Sequence, residues 1–168
     1  FVLRDPAGIR PAYYYYDDEI VVVASERPVI QSALNLKSEQ ITELPPGNAL
    51  IVKHHGEVSI DEIKTPTAFK ACSFERIYFS RGNDKDIYNE RIELGRRLIP
   101  RIVDLVDGEV EDTVFSFIPN TAEVSFYGMV KGMEDHFNGL KYDRITALEN
   151  PTNEQLKAIL DLRPRVEK

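Results

Sequence analysis

Residues 119–123, Pro119-Asn120-Thr121-Ala122-Glu123, follow the apolar run Thr113-Val114-Phe115-Ser116-Phe117-Ile118 and precede a stretch in which Val124, Phe126, Tyr127, Met129, Val130 and Met133 recur at helical spacing. A strand that turns into a helix offers the first backbone N–H groups of that helix to an anion such as a phosphate. Asn120, Thr121 and Ala122 are therefore the candidate anion-binding residues. The same residues also suit an ordinary helix start, with Asn120 capping and Glu123 reaching back, an arrangement that needs no ligand. Glu123 would also oppose a pyrophosphate. Both readings stand at this point.

Other residues with functional chemistry are better explained by local structure. His54-His55 invites a metal, but neighbours on a strand face opposite ways, and no third ligand stands at a suitable spacing. Asp17-Asp18-Glu19 reads as turn chemistry between two strands. Arg91, Arg96, Arg97 and Arg101 read as a solvated helix face in preference to a phosphate site. Cys72 is the single cysteine, so an internal disulfide is excluded and a metal site would need other ligands. The sequence holds no Ser/His/Asp set, no glycine-rich phosphate loop and no metal cluster.

The elements that must position these residues follow from their periodicity. Tyr13-Tyr14-Tyr15-Tyr16 and Ile20-Val21-Val22-Val23-Ala24 predict a hairpin, and residues 49–53 and 57–60 predict a second one around His54-His55-Gly56. Between them Ser25 is the expected N-cap of a short helix through Val29, Ile30, Ala33 and Leu34, and Leu44-Pro45-Pro46-Gly47 makes a rigid turn. Residues 71–82 read as a partly buried strand joining two domains. Beyond it, Ile87, Ile92, Leu94, Leu98, Ile99, Ile102 and Val103 predict an amphipathic helix from about Asp86, kinked or ended by Pro100. A strand over 113–118 and a helix after 123 open an α/β sheet. From Asp135 the chain reads as polar and turn-rich, with Asn138-Gly139 and Asn150-Pro151, then a last helix from Thr152 to about Leu162 with Gln155 completing a capping box.

The 168 residues are 42% hydrophobic and 10% aromatic with a net charge of −7, which suits a globular chain and opposes broad nucleic-acid or anionic-lipid binding. No apolar run reaches the length of a membrane span, and cytoplasm is the expected location. The chain opens on the apolar residues Phe1-Val2-Leu3 with no initiator Met, and it stops among charged residues with no closing core strand. The expectation is a piece of a longer protein.

The segment Leu3-Arg4-Asp5-Pro6-Ala7-Gly8-Ile9-Arg10-Pro11 resembles the Arg-Asp-Pro-x-Gly-x-Arg-Pro motif of class II glutamine amidotransferase domains, which have an N-terminal-nucleophile hydrolase fold. Ala24-Ser25-Glu26, Leu44-Pro45-Pro46-Gly47-Asn48-Ala49, Cys72-Ser73-Phe74-Glu75-Arg76-Ile77-Tyr78-Phe79-Ser80-Arg81, Arg91 and Gly95-Arg96-Arg97-Leu98 follow in order. Together they resemble the amidophosphoribosyltransferases of purine synthesis. The resemblance is clear through Leu98 and thin beyond it.

That resemblance implies an α+β and α/β chain, with the β-rich C-terminal part of an amidotransferase domain over residues 1–72 and the start of a type I phosphoribosyltransferase domain over 73–168. It implies glutamine and phosphoribosylpyrophosphate as substrates, magnesium as cofactor and a homo-oligomer. Ammonia would pass between the two sites shielded from water, with Tyr78 matching the family's channel tyrosine. Asn120, Thr121 and Ala122 would form the pyrophosphate-side loop, although Ala122 stands where the family commonly has serine and Asn120 where it has an acidic residue. Arg81-Gly82-Asn83-Asp84 likewise replaces the usual Arg-Pro-Asp-Ser. The nucleophilic Cys and the ribose-binding acidic pair are not in this sequence, so the piece alone would be inactive. An iron–sulfur cluster, for which some members use a cysteine at the Cys72 position, is not supported with one cysteine. Another class II amidotransferase, or a non-catalytic regulatory paralogue, is the alternative.

Overall fold

The computed structural model describes residues 1–80 and 82–167. Arg81 of the altered motif, and Lys168, lie outside the described residues. The chain forms two compact units, Phe1–Ile87 and Tyr88–Lys168. Residues 73–87 fall within the first unit.

The first unit is built from short antiparallel strands. Strand β1 (Val2–Leu3) pairs with β5 (Asn48–Val52), which forms a hairpin with β6 (Val58–Glu62) in register Leu50↔Ile60. A second sheet runs β3 (Val21–Ala24), β2 (Tyr13–Tyr16), β4 (Thr42–Glu43), with Tyr14 opposite Val23. The β2–β3 turn is made by Asp17, whose Oδ1 accepts from the N–H groups of Glu19 and Ile20, both at 2.9 Å, while the Tyr15 hydroxyl donates to its Oδ2. Those bonds hold the Asp17 carboxyl below its usual range. Helix α1 (Arg27–Leu34) packs on this hairpin, and Ile30, Leu44 and Leu50 form the fully buried centre. Glu26, not Ser25, is its N-cap, and no side chain caps it. Pro28 in the first turn, with its preset φ, favours the start instead. In the turn after Pro46, Gly47 has φ +73°, and a Cβ there would lie 2.0 Å from the Lys64 carbonyl oxygen. Only glycine fits.

Among the described residues of 71–82 the expected strand does not form. Residues 75–79 form a π-helical turn (Glu75–Phe79) closed by the Ser80 N–H donating to the Glu75 carbonyl at 2.6 Å. Phe74, Tyr78 and Phe79 are spaced four and five residues apart, so a wide turn gathers their rings on one side where an extended strand would scatter them. Helix α2 (Lys85–Arg97) starts next, capped by Asp84, whose Oδ1 accepts from the N–H groups of Asp86 at 2.9 Å and Ile87 at 3.2 Å.

In the second unit α2 ends before Pro100, which sits in the first turn of α3 (Ile99–Leu105). Of the kink or early end expected at Pro100, the end is what forms, since proline supplies no N–H to a helix interior but is tolerated at its start. Strand β7 is only Val114–Phe115, shorter than the 113–118 expected. Helix α4 (Glu123–Thr146) runs through the region expected to be turn-rich. Its stripe Phe126, Met129, Met133, Phe137 is buried with Ile99, Val110 and Phe115, and burial of Phe137 outweighs the ~1 kcal/mol that Gly139 costs a helix. Helix α5 (Asn153–Leu160) has the expected capping box between Thr152 and Gln155. Strand β8 (Arg165–Val166) pairs parallel with β7, but both of its residues are exposed, so it is not a core strand.

Candidate functional site

The candidate loop lies between β7 and α4, as a ligand loop in an α/β unit should. Asn120, Thr121 and Ala122 are exposed, and the Pro119–Asn120 peptide is cis. The capping alternative does not form. Ala122 is the N-cap residue and supplies no side-chain oxygen, the Asn120 carbonyl accepts from the Glu123 N–H at 3.2 Å, and the Glu123 carboxylate accepts from the Tyr127 hydroxyl at 2.6 Å. Glu123 thus bonds one turn into α4. The helix end and the Thr121 hydroxyl are what this loop offers an anion.

Tyr78 lies in the first unit. Its ring meets Phe74 at 5.3 Å and, edge on, Phe79 at 5.3 Å, and all three rings are about half exposed. The π-helical turn is tied down by the Glu75 carboxylate, which is 5% exposed and forms an ion pair with Arg10. The Arg10 guanidinium also lies over the Phe79 ring, 5.4 Å from its centroid.

The Arg4-to-Pro11 motif accounts for its own residues. Arg4, 5% exposed, donates to the carbonyls of Leu44 at 2.6 Å and Arg10 at 3.1 Å and pairs with Glu43 at 2.8 Å. Asp5 accepts from the N–H groups of Ala7 and Ile9, both at 2.9 Å, and Gly8 has φ +63°. The motif is a stapled turn that delivers Arg10 to Glu75. Sequence reasoning quoted both residues but missed their pairing, because 65 positions separate them. It also missed Arg27, which donates to both Asp84 oxygens at 2.8 and 2.9 Å and to Asp86 at 2.6 Å.

The remaining candidates fall as follows. Arg91 is buried, 7% exposed, and so does not belong to the solvated face expected for it. Burial lowers its pKa. Arg96 pairs with Asp135 and Arg97 with Glu93 on the surface. His55 meets Glu57 at 3.0 Å in the exposed hairpin, a carboxylate neighbour that the sequence reading overlooked. Among the described residues no group of three or more His, Cys, Asp or Glu side chains is placed to hold a metal ion, and no helix is long and apolar enough to cross a membrane.

No family model matches the sequence, and no curated protein matches it. Among solved structures the chain is similar to glutamine phosphoribosylpyrophosphate amidotransferase from B. subtilis, a structure complexed with ADP and GMP, with a TM-score of 0.57 and 23% identity. The match covers 96% of this chain and 34% of that one. At this identity the likeness is one of fold, a mixed α and β architecture that the two chains share; this chain spans about a third of its neighbour's length.

Proposed function

We propose that this chain is the junction portion of an amidophosphoribosyltransferase, a transferase that makes phosphoribosylamine, glutamate and pyrophosphate from phosphoribosylpyrophosphate and glutamine. The observation that carries this is the fold likeness along 96% of the chain, in a sequence whose amidotransferase-like motifs occur in the order of that family. Residues 1–72 are then the C-terminal part of the glutaminase domain, and residues 73–168 the seam and the start of the phosphoribosyltransferase domain. Asn120, Thr121 and Ala122 receive the pyrophosphate end of the substrate, and Tyr78 stands at the ammonia passage. Asn120, Thr121 and Ala122 supply amides and one hydroxyl, so magnesium would come in on the phosphate oxygens, where it offsets their charge. The catalytic thiol and the ribose-binding acids are not in this sequence, so the isolated piece is inactive. The assembly is a cytoplasmic homo-oligomer.

Glutamate release by the full-length protein, with glutamine present and magnesium phosphoribosylpyrophosphate added or withheld, tests this. The expected outcome is strong release only on addition. Release regardless of addition would instead support another class II amidotransferase. No release under either condition would support a regulatory relative, a reading favoured by Ala122, which puts no side-chain oxygen at the helix start.

A further inference from the structure

We infer that Arg10 is a positioning residue that sets the orientation of Tyr78 and thereby couples the two activities. This rests on the proposed function in taking Tyr78 as the residue at the ammonia passage. The physical case is local. The base of the turn is held by backbone: the N–H groups of Lys70 and Cys72 donate to the carbonyls of Ala7 at 2.8 Å and Ile9 at 3.0 Å, and the Glu75 N–H donates to the Cys72 carbonyl at 3.1 Å. The body of the turn is gripped by a side chain. Glu75, its first residue, carries a carboxylate buried to 5% exposure, and the Arg10 guanidinium neutralises it. A buried carboxylate without its cation must protonate or move toward water. The same guanidinium lies over Phe79, the ring that Tyr78 meets edge to face. One cation therefore fixes both ends of the π-helical turn. Arg10 itself remains two-thirds exposed, with a side-chain exposure of 67%, so replacing it removes the grip without opening the core formed by Ile30, Leu44 and Leu50.

The experiment places 3-fluorotyrosine at position 78 of the full-length protein and records its fluorine resonance beside glutamate release. In the unsubstituted protein the resonance is displaced from that of free 3-fluorotyrosine by the neighbouring rings. Arg10→Ala should move it toward the free value and reduce stimulation by phosphoribosylpyrophosphate about fivefold or more, the scale of a coupling between sites, with the KM for glutamine unchanged. Arg10→Lys, which keeps the cation, should restore most of both. Phe79→Leu, which keeps the ion pair, should shift the resonance in the same direction by less, and it serves if Arg10→Ala does not fold. A resonance unmoved in a folded Arg10→Ala protein would overturn the inference. If the unsubstituted protein shows no stimulated release, the proposed function fails, while the resonance still decides what Arg10 does.

Discussion

Asp84 carries two roles with one carboxylate: it caps α2 through the N–H groups of Asp86 and Ile87, and it receives both donors of Arg27 from α1. Burial by itself would raise its pKa, but the Arg27 hydrogen bonds, followed by the backbone N–H groups, hold it below the usual carboxylate range. Arg27 is raised in turn, chiefly by its hydrogen bonds to Asp84. A depressed folded-state pKa contributes stability that is present above the unfolded value, about 3.9, and is lost as pH falls through the folded value. Asp84→Asn should therefore destabilise the protein by on the order of 2 kcal/mol at pH 7. Its deficit against the unsubstituted chain should shrink toward pH 3 in thermal unfolding followed by circular dichroism. A deficit that stayed constant with pH would remove the charge from the account. Neither role of Asp84 could be read in sequence, since Arg27 is 57 positions away and the expected helix start was two residues later.

At the scale of elements, α2 and α4 cross with their backbones nearly touching. A Cβ at Gly95 would lie 1.8 Å from the Ser125 carbonyl oxygen, and one at Gly128 would lie 2.0 Å from that of Ile92. Backbone cannot step aside as a flexible side chain can, so Gly128→Ala should cost roughly 3 kcal/mol or more. Gly139, in the same helix, has nothing within 4 Å of the added carbon. There Gly139→Ala should stabilise by about 0.5–1 kcal/mol. Denaturant midpoints of the two variants should thus move in opposite directions, and movement in the same direction would contradict the crossing. The period of the Phe126, Met129, Met133 stripe was legible, as was the Thr152 capping box. The continuation through Asn138-Gly139 was not, because a turn-forming dipeptide and a helix interior look alike until Phe137 and Leu140 are seen packed on the core.

At the scale of the whole molecule, the second unit presents a sheet of two parallel strands, β7 and β8. Ile118, Leu105, Tyr142 and Leu160 are all more than half exposed. Unpaired strand edges and exposed apolar surface favour association. Light scattering of the isolated chain at working concentration should accordingly give a mass above that of one 19.2 kDa copy, and a monomeric mass would contradict this association.

By itself the sequence determined what depends on neighbours along the chain: the tyrosine and valine hairpin with its Asp17 turn, the second hairpin around Gly56, the proline-interrupted helices, and the strand, loop and helix that bring Asn120, Thr121 and Ala122 together. Local periodicity and turn chemistry encode these within a few residues. Tertiary structure alone decided the pairs of residues distant in sequence. It brought Arg10 to Glu75, Arg27 to Asp84, and β8 beside β7. It also turned the segment around Tyr78 from the expected strand into a π-helical turn. Such choices rest on burying a charge with its partner and packing rings into one cluster, which become favourable only once the chain has brought distant residues within a few ångströms.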